Sequence, residues 1–247
     1  MDKFFSLTNS NPSYEINIYE KFIPLIIVTI IISIIYFKRE QIRKSNSLDK
    51  LLRYLLSIIS SIFLIIYYSI EWSTNGINVD NLPFHLCFIS NIFCILLCFT
   101  KDKKTFNFVI FTGVLGGISS LLAPTLDLSY KYFRYYQFMI CHGSIIIIPL
   151  YFFIIYKYNV SIKDTISVIL TTEILGLILG IFNEYFNTTY MFVSFSSNQA
   201  AKDSILYYIG DGYMYFLNLQ IIFIFVMLLW YLILNTIYKL LIKDKKK

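Results

Sequence analysis

From Phe22 to Tyr238 the chain is a succession of apolar blocks rich in Ile, Leu, Phe and Tyr, cut by short lysine-bearing breaks. Each block is about as long as a helix that crosses a bilayer. With 57% hydrophobic and only 15% charged residues, against roughly a quarter charged in a water-soluble domain, the solvent this pattern calls for is lipid. A disordered chain and a disulfide-stapled secreted one are both excluded. Two histidines and four cysteines among so many apolar residues are a scarce ligand set for zinc, and no metal or other cofactor is expected.

The fold class that follows is an all-α polytopic membrane protein, a single transmembrane domain over residues 1–247 with seven transmembrane helices. The spans fall at about 22–37, 51–70, 82–99, 106–122, 135–156, 165–182 and 205–238, the last with an interfacial or broken start before Phe216. The N-terminal stretch lacks a basic region followed by a small-residue cleavage site, so the first span is read as staying in the mature chain. Pro149 lies inside the fifth block, where a membrane helix tolerates it.

Direction comes from the cations. The breaks after spans one, three and five, the C-terminal tail and Arg53 hold 16 of the 21 basic residues; Lys3, Lys21, Lys131, Arg134 and Lys202 fall on the other side. The positive-inside tendency then puts the N-terminus outside and the C-terminus in the cytoplasm, as a multi-pass protein of the cell (plasma) membrane. The net charge of +6 serves topology and lipid headgroups, and no nucleic-acid partner is needed to explain it.

Ionisable and polar groups inside hydrocarbon are costly unless paired or facing a polar cavity, so those that occur point to function. On span three, Cys87, Asn91, Cys94 and Cys98 recur at spacings of four, three and four and form one stripe, while His85 points away from Cys87. His142 lies about two turns inside the outer end of span five, at nearly the depth of Cys87. Cys94, Cys98 and Cys141 read as small buried residues. Cys87 with His142 reads either as a buried thiol and a satisfied packing histidine near the interface or as a nucleophile and its base, for a thiolate attacks a carbonyl carbon well but needs a basic neighbour in apolar surroundings. Asn91, His85 and Tyr190 are candidate donors to a developing oxyanion.

Span six carries Glu173 near mid-membrane, read either as a proton or ion site or as a structural pin. Gly176 and Gly180 on the same face would let a neighbouring helix approach closely. Toward the outer side, Asn183, Asn187, Tyr190, Asp203, Asp211, Tyr213 and Tyr215 form a cluster expected to cover the mouth of the bundle, although tyrosines there also fit an interfacial aromatic belt.

The stretches LPFHLCFISNIF at 82–93, GVLGGISSLLAPTLD at 113–127, YYQFMICHGSIIIIPLY at 135–151 and NTTYMF at 187–192 resemble the YwaF family of bacterial integral membrane proteins, which is similar to eukaryotic transmembrane acyltransferases that use a cysteine. The resemblance covers about residues 50–235 and implies Cys87 and His142 as the motif pair, with His85 and Asn91 at accompanying positions. Two departures stand out: APTLD displaces Asp127, and DGYMY at 211–215 replaces a tryptophan-rich pattern.

The expected function is membrane-embedded acyl transfer or ester hydrolysis on a lipid such as a phospholipid, acting as acyltransferase or hydrolase near the outer leaflet. The competing readings are a transporter or permease centred on Glu173, and a non-enzymatic receptor or structural protein. Partners are the bilayer and a membrane lipid substrate; the sequence identifies no protein partner.

Overall fold

The computed structural model describes residues 3–8, 14, 16–124, 126–202 and 204–242. It is all-helical, with helices α1 (Ile18–Phe37), α2 (Arg39–Lys44), α3 (Asn46–Asn75), α4 (Leu86–Thr100), α5 (Lys103–Leu122), α6 (Phe133–Ile155), α7 (Ile162–Phe186) and α8 (Gly212–Ile237). Six of these, α1, α3, α5, α6, α7 and α8, are long and apolar enough to cross a membrane. They support a multi-pass location in the cell (plasma) membrane.

The expected third span is where the structure departs most. Residues 82–85, which include Pro83, are not helical, so α4 starts at Leu86 and runs for 15 residues, short of the ~20 that a bilayer asks of an upright helix. The break after the first span is itself helical: α2 forms from Arg39, and its Ile42 is 3% exposed, which gives a charged segment one apolar anchor. The last span begins in a 3-10 turn, Ile205–Ile209, is interrupted at Gly210 with φ 137°, and resumes as α8.

The chain folds as two units, residues 1–81 with 87–156 and residues 82–86 with 157–247. In the first, α6 is the axis, buried along almost its whole length and packed on α1, α3 and α5. Missing side chains let the backbones approach. A Cβ on Gly113 of α5 would lie 2.8 Å from the Ile145 carbonyl oxygen, and one on Gly143 of α6 would lie 3.1 Å from Val28 of α1. Helix entry is fixed by caps: Asn17 and Glu20 form a reciprocal box at α1, Ser45 accepts from Leu48 N–H, and Asp102 accepts from Thr105 N–H at 2.6 Å.

At one end of this unit lies a buried ion pair. Arg53 donates from Nε to Asp49 Oδ2 at 3.1 Å and from Nη1 to the Cys98 carbonyl. The hydroxyls of Tyr151 and Tyr156 donate to the same carboxylate at 2.7 and 2.6 Å. Arg53, counted above with the cations of the breaks, is 4% exposed; only a full set of partners makes such burial bearable.

In the second unit, α7 opens with a Ser161–Asp164 capping box and closes on Asn187, whose φ of 56° is the left-handed conformation that asparagine tolerates. Short 3-10 turns then lead to α8, capped by Asp211.

Candidate functional site

Helix α5 organises the neighbourhood of the sequence-derived pair. Its residues Gly113, Gly116, Gly117 and Ser120 are spaced by three, one and three, so they share one narrow face. A Cβ on Gly116 would stand 3.2 Å from Cys87 Sγ, and one on Gly117 would stand 2.8 Å from the His142 carbonyl oxygen. Consecutive residues of α5 therefore touch the thiol-bearing residue of α4 and the imidazole-bearing residue of α6. On the α6 side the contact is with the backbone carbonyl of His142, so it locates that residue's main chain and not its ring.

Cys87 Sγ and Ser120 Oγ lie 3.9 Å apart, within reach for sulfur, and either can donate. The His142 ring meets the Phe138 carbonyl through Nδ1 at 2.7 Å and packs against the Phe138 ring at 4.2 Å. A carbonyl only accepts, so this contact puts the proton on Nδ1 and leaves Nε2 of the neutral ring as a lone-pair base. Among the described residues no hydrogen bond joins Cys87 to His142. Both side chains are half-buried, and all four cysteines are free.

Asn91 has a different place from the one expected. It is 1% exposed, accepts from Ser60 Oγ at 2.7 Å and donates through Nδ2 to the Cys141 carbonyl at 3.3 Å. That ties α3, α4 and α6 together and engages one of the two amide N–H donors. The preceding residue, Ser90, donates from Oγ to Thr112 Oγ1 at 2.9 Å and fixes α4 on α5.

The remaining candidates belong to the second unit. His85 precedes the helix, so helical periodicity does not apply to it, and its ring meets Tyr190 edge-on at 5.0 Å. Tyr190 is 1% exposed, and its hydroxyl accepts from Leu82 N–H at 2.9 Å. Asn183 holds the turn after α7: Nδ2 donates to the Tyr190 and Val193 carbonyls, both at 2.8 Å, and Oδ1 accepts from Tyr190 N–H and the Thr188 hydroxyl. Asp211 accepts from Asn198 N–H and Gly212 N–H. The Tyr215 hydroxyl donates to the Phe192 carbonyl at 2.6 Å, whereas Tyr213 is 66% exposed. Asn183, Asn187, Tyr190, Asp211 and Tyr215 thus order their own unit's turns; Asp203 lies outside the described residues.

Glu173 has a specific partner. With the Gln220 amide turned so that its nitrogen faces the carboxylate, it donates to both oxygens at 2.8 and 2.5 Å, tying α7 to α8. Gly176 and Gly180 receive the segment after α7 rather than the helix expected there: a Cβ on Gly180 would meet Phe195 and Val193 at 3.0 Å or less.

Sequence reasoning missed Ser120 and Arg134 near the pair. The signal for Ser120 was its spacing from Gly113, Gly116 and Gly117 on α5. Arg134 was counted solely as an outside charge. Among the described residues no group of three or more His, Cys, Asp or Glu could hold a metal ion.

The model of one family, described as the TMEM164 family, matches residues 11–231 and so takes in all four motif stretches. This overturns the resemblance to the YwaF family: the HLC triplet and the later histidine, on which that resemblance rested, are carried by a chain whose match lies elsewhere. No curated protein and no solved structure matches the chain.

Proposed function

For this chain, which belongs to the TMEM164 family, we propose acyl transfer or ester hydrolysis on a membrane lipid, with Cys87 as nucleophile and His142 as base. One observation carries the reading: the Cys87 thiol and the His142 backbone carbonyl lie against consecutive glycines of α5, and the Nδ1 contact of the His142 ring with a carbonyl leaves Nε2 as its lone-pair nitrogen.

His142 Nε2 takes the Cys87 proton, and the thiolate sulfur bonds to the ester carbonyl carbon. The tetrahedral oxyanion collapses to a thioester as the C–O bond to the leaving alkoxide breaks, and the imidazolium returns the proton to that oxygen. Water or a second alcohol, deprotonated by the same ring, then attacks the thioester carbonyl and restores the thiol. Ser120, within reach of the sulfur, is a hydroxyl able to donate to the oxyanion. A lipid ester suits the place because an acyl chain can lie against apolar helix faces while its ester meets the few polar groups.

In this reading α4 completes a seven-span bundle with the N-terminus outside and the C-terminus cytoplasmic, which sets Cys87 and His142 toward the outer leaflet. The test incubates the detergent-solubilised protein with a mixed lipid extract and follows acyl redistribution by mass spectrometry. Redistribution lost in Cys87→Ala is expected; equal redistribution by wild type and Cys87→Ala would end the proposal.

A further inference from the structure

The arginine nearest the pair differs from the other three. Arg53 is paired with Asp49, Arg43 donates to the Ile154 and Ile155 carbonyls and to Glu40, and Arg39 donates to the Tyr36 carbonyl beside Glu40. Arg134, the second residue of α6, donates from Nη1 to the neutral amide oxygen of Gln137, itself 1% exposed. Among the described residues no carboxylate is in ion-pair contact with Arg134. A guanidinium has five N–H donors in a planar fork shaped for a bidentate oxyanion, and a cation at the edge of an apolar bundle is stabilised by an anion.

Its setting holds that fork in place. The guanidinium carbon lies 4.4 Å from the centre of the Tyr67 ring, and Tyr67 stacks on Phe88, the neighbour of Cys87, at 5.9 Å and 11°. It also lies 5.8 Å from the Phe138 ring, which packs on His142 at 4.2 Å. Those last two separations together bound the guanidinium-to-imidazole distance at about 10 Å. The aromatic platform leaves the edges of the fork for hydrogen bonding, one of them already steadied by Gln137.

We propose that Arg134 is an anion site for the phosphate of the lipid whose ester is presented to Cys87, and so a residue that positions substrate and selects phosphate-bearing lipids. The inference rests on the proposed function and deepens it. A guanidinium within about 10 Å of the His142 ring is in reach of a glycerophospholipid, where a short chain of bonds separates the phosphate from the nearer ester carbonyl. The ligand chemistry, a tetrahedral phosphate oxyanion, is shared with free phosphate. The apolar outer faces of α1 and α3 in the same unit favour a molecule that also carries acyl chains.

Binding tests this without turnover. Dihexanoyl-phosphatidylcholine is titrated against the full chain carrying Cys87→Ala in a phosphate-free detergent, with 31P line broadening as readout and dihexanoylglycerol and inorganic phosphate as competitors. Arg134→Gln should weaken phosphatidylcholine binding about tenfold to hundredfold, the size of a charge-assisted hydrogen bond, while dihexanoylglycerol competes as before. Arg134→Lys should restore most of the affinity, and Tyr67→Leu, which removes the platform but not the charge, should fall between. Unchanged binding in Arg134→Gln overturns the proposal, as does an equal loss for dihexanoylglycerol, which would mark a structural role. Displacement by millimolar inorganic phosphate overturns the lipid assignment. Full acyl redistribution by Cys87→Ala would remove the proposed function and leave the Arg134 result to stand by itself.

Discussion

Replacing Gly117 by alanine tests the contact of α5 with the His142 backbone. The new Cβ would lie 2.8 Å from the His142 carbonyl oxygen and 2.6 Å from Ile146 Cγ1, whereas ordinary contact begins at 3.4 Å. The oxygen is backbone and cannot rotate away, so α5 and α6 must part by about 0.6 Å at this level. Overpacking of that kind costs about 1–3 kcal/mol. Gly116→Ala is the matched control: its Cβ would meet only Cys87 Sγ, at 3.2 Å, and a thiol can swing aside. Both substitutions gain the same helix propensity, about 0.8–1 kcal/mol, so the difference between them isolates the clash. At roughly 2–4 °C per kcal/mol for a chain of this size, Gly117→Ala should unfold roughly 2–12 °C below Gly116→Ala when tryptophan fluorescence is followed on heating in detergent. Gly116→Ala should in turn slow maleimide alkylation of Cys87 by crowding the sulfur. Equal unfolding temperatures for the two variants would refute the close approach of α5 to α6 at His142.

Arg53→Met should lower stability by up to about 3–5 kcal/mol because the buried Asp49 carboxylate then keeps only the part-exposed Lys101 ammonium, 3.9 Å away, and the double variant Asp49→Leu/Arg53→Met should recover much of that loss; thermal unfolding of both variants beside wild type decides it. Asn183→Ala removes four hydrogen bonds from the turn after α7, at about 1 kcal/mol each, and should speed limited proteolysis within residues 187–211 with little change in maleimide reaction at Cys87. Thr105 N–H and hydroxyl hold the Asp102 carboxyl below the usual carboxylate range. That stabilising effect is therefore fully present above the ordinary pKa of about 3.9 and is lost as pH falls through the lowered folded value. The melting temperature of Asp102→Ala should accordingly converge on that of wild type in strongly acidic buffer.

The six long apolar helices were legible because block length and lysine-bearing breaks are local properties. The boundaries that failed are those set by a single residue or a distant partner. Pro83 and its neighbours keep 82–85 out of α4, while the burial of one side chain, Ile42, turns a charged break into α2. Arg53 looked interfacial because its hydroxyl partners Tyr151 and Tyr156 lie about a hundred positions away. At the site, the stripe carrying Asn91 was readable within α4, but its partners Ser60 and Cys141 stand on two other helices and left no mark in the local pattern. Ser120 stayed hidden because the pairing of α4 with α5 follows from glycine contacts rather than from any pattern within α4. Glu173 showed its cost in the sequence, yet Gln220, on another helix, supplied the partner.

The central claim is that Cys87 and His142 act on one acyl group. Purified protein supplied with a phospholipid labelled in its acyl chain should accumulate a hydroxylamine-sensitive label on Cys87. That label should be absent in Cys87→Ala, and its formation should be slowed by about 10²–10⁴-fold in His142→Ala, the worth of a general base. Acyl redistribution that proceeds with no label on Cys87, or label that forms equally fast in His142→Ala, would contradict it.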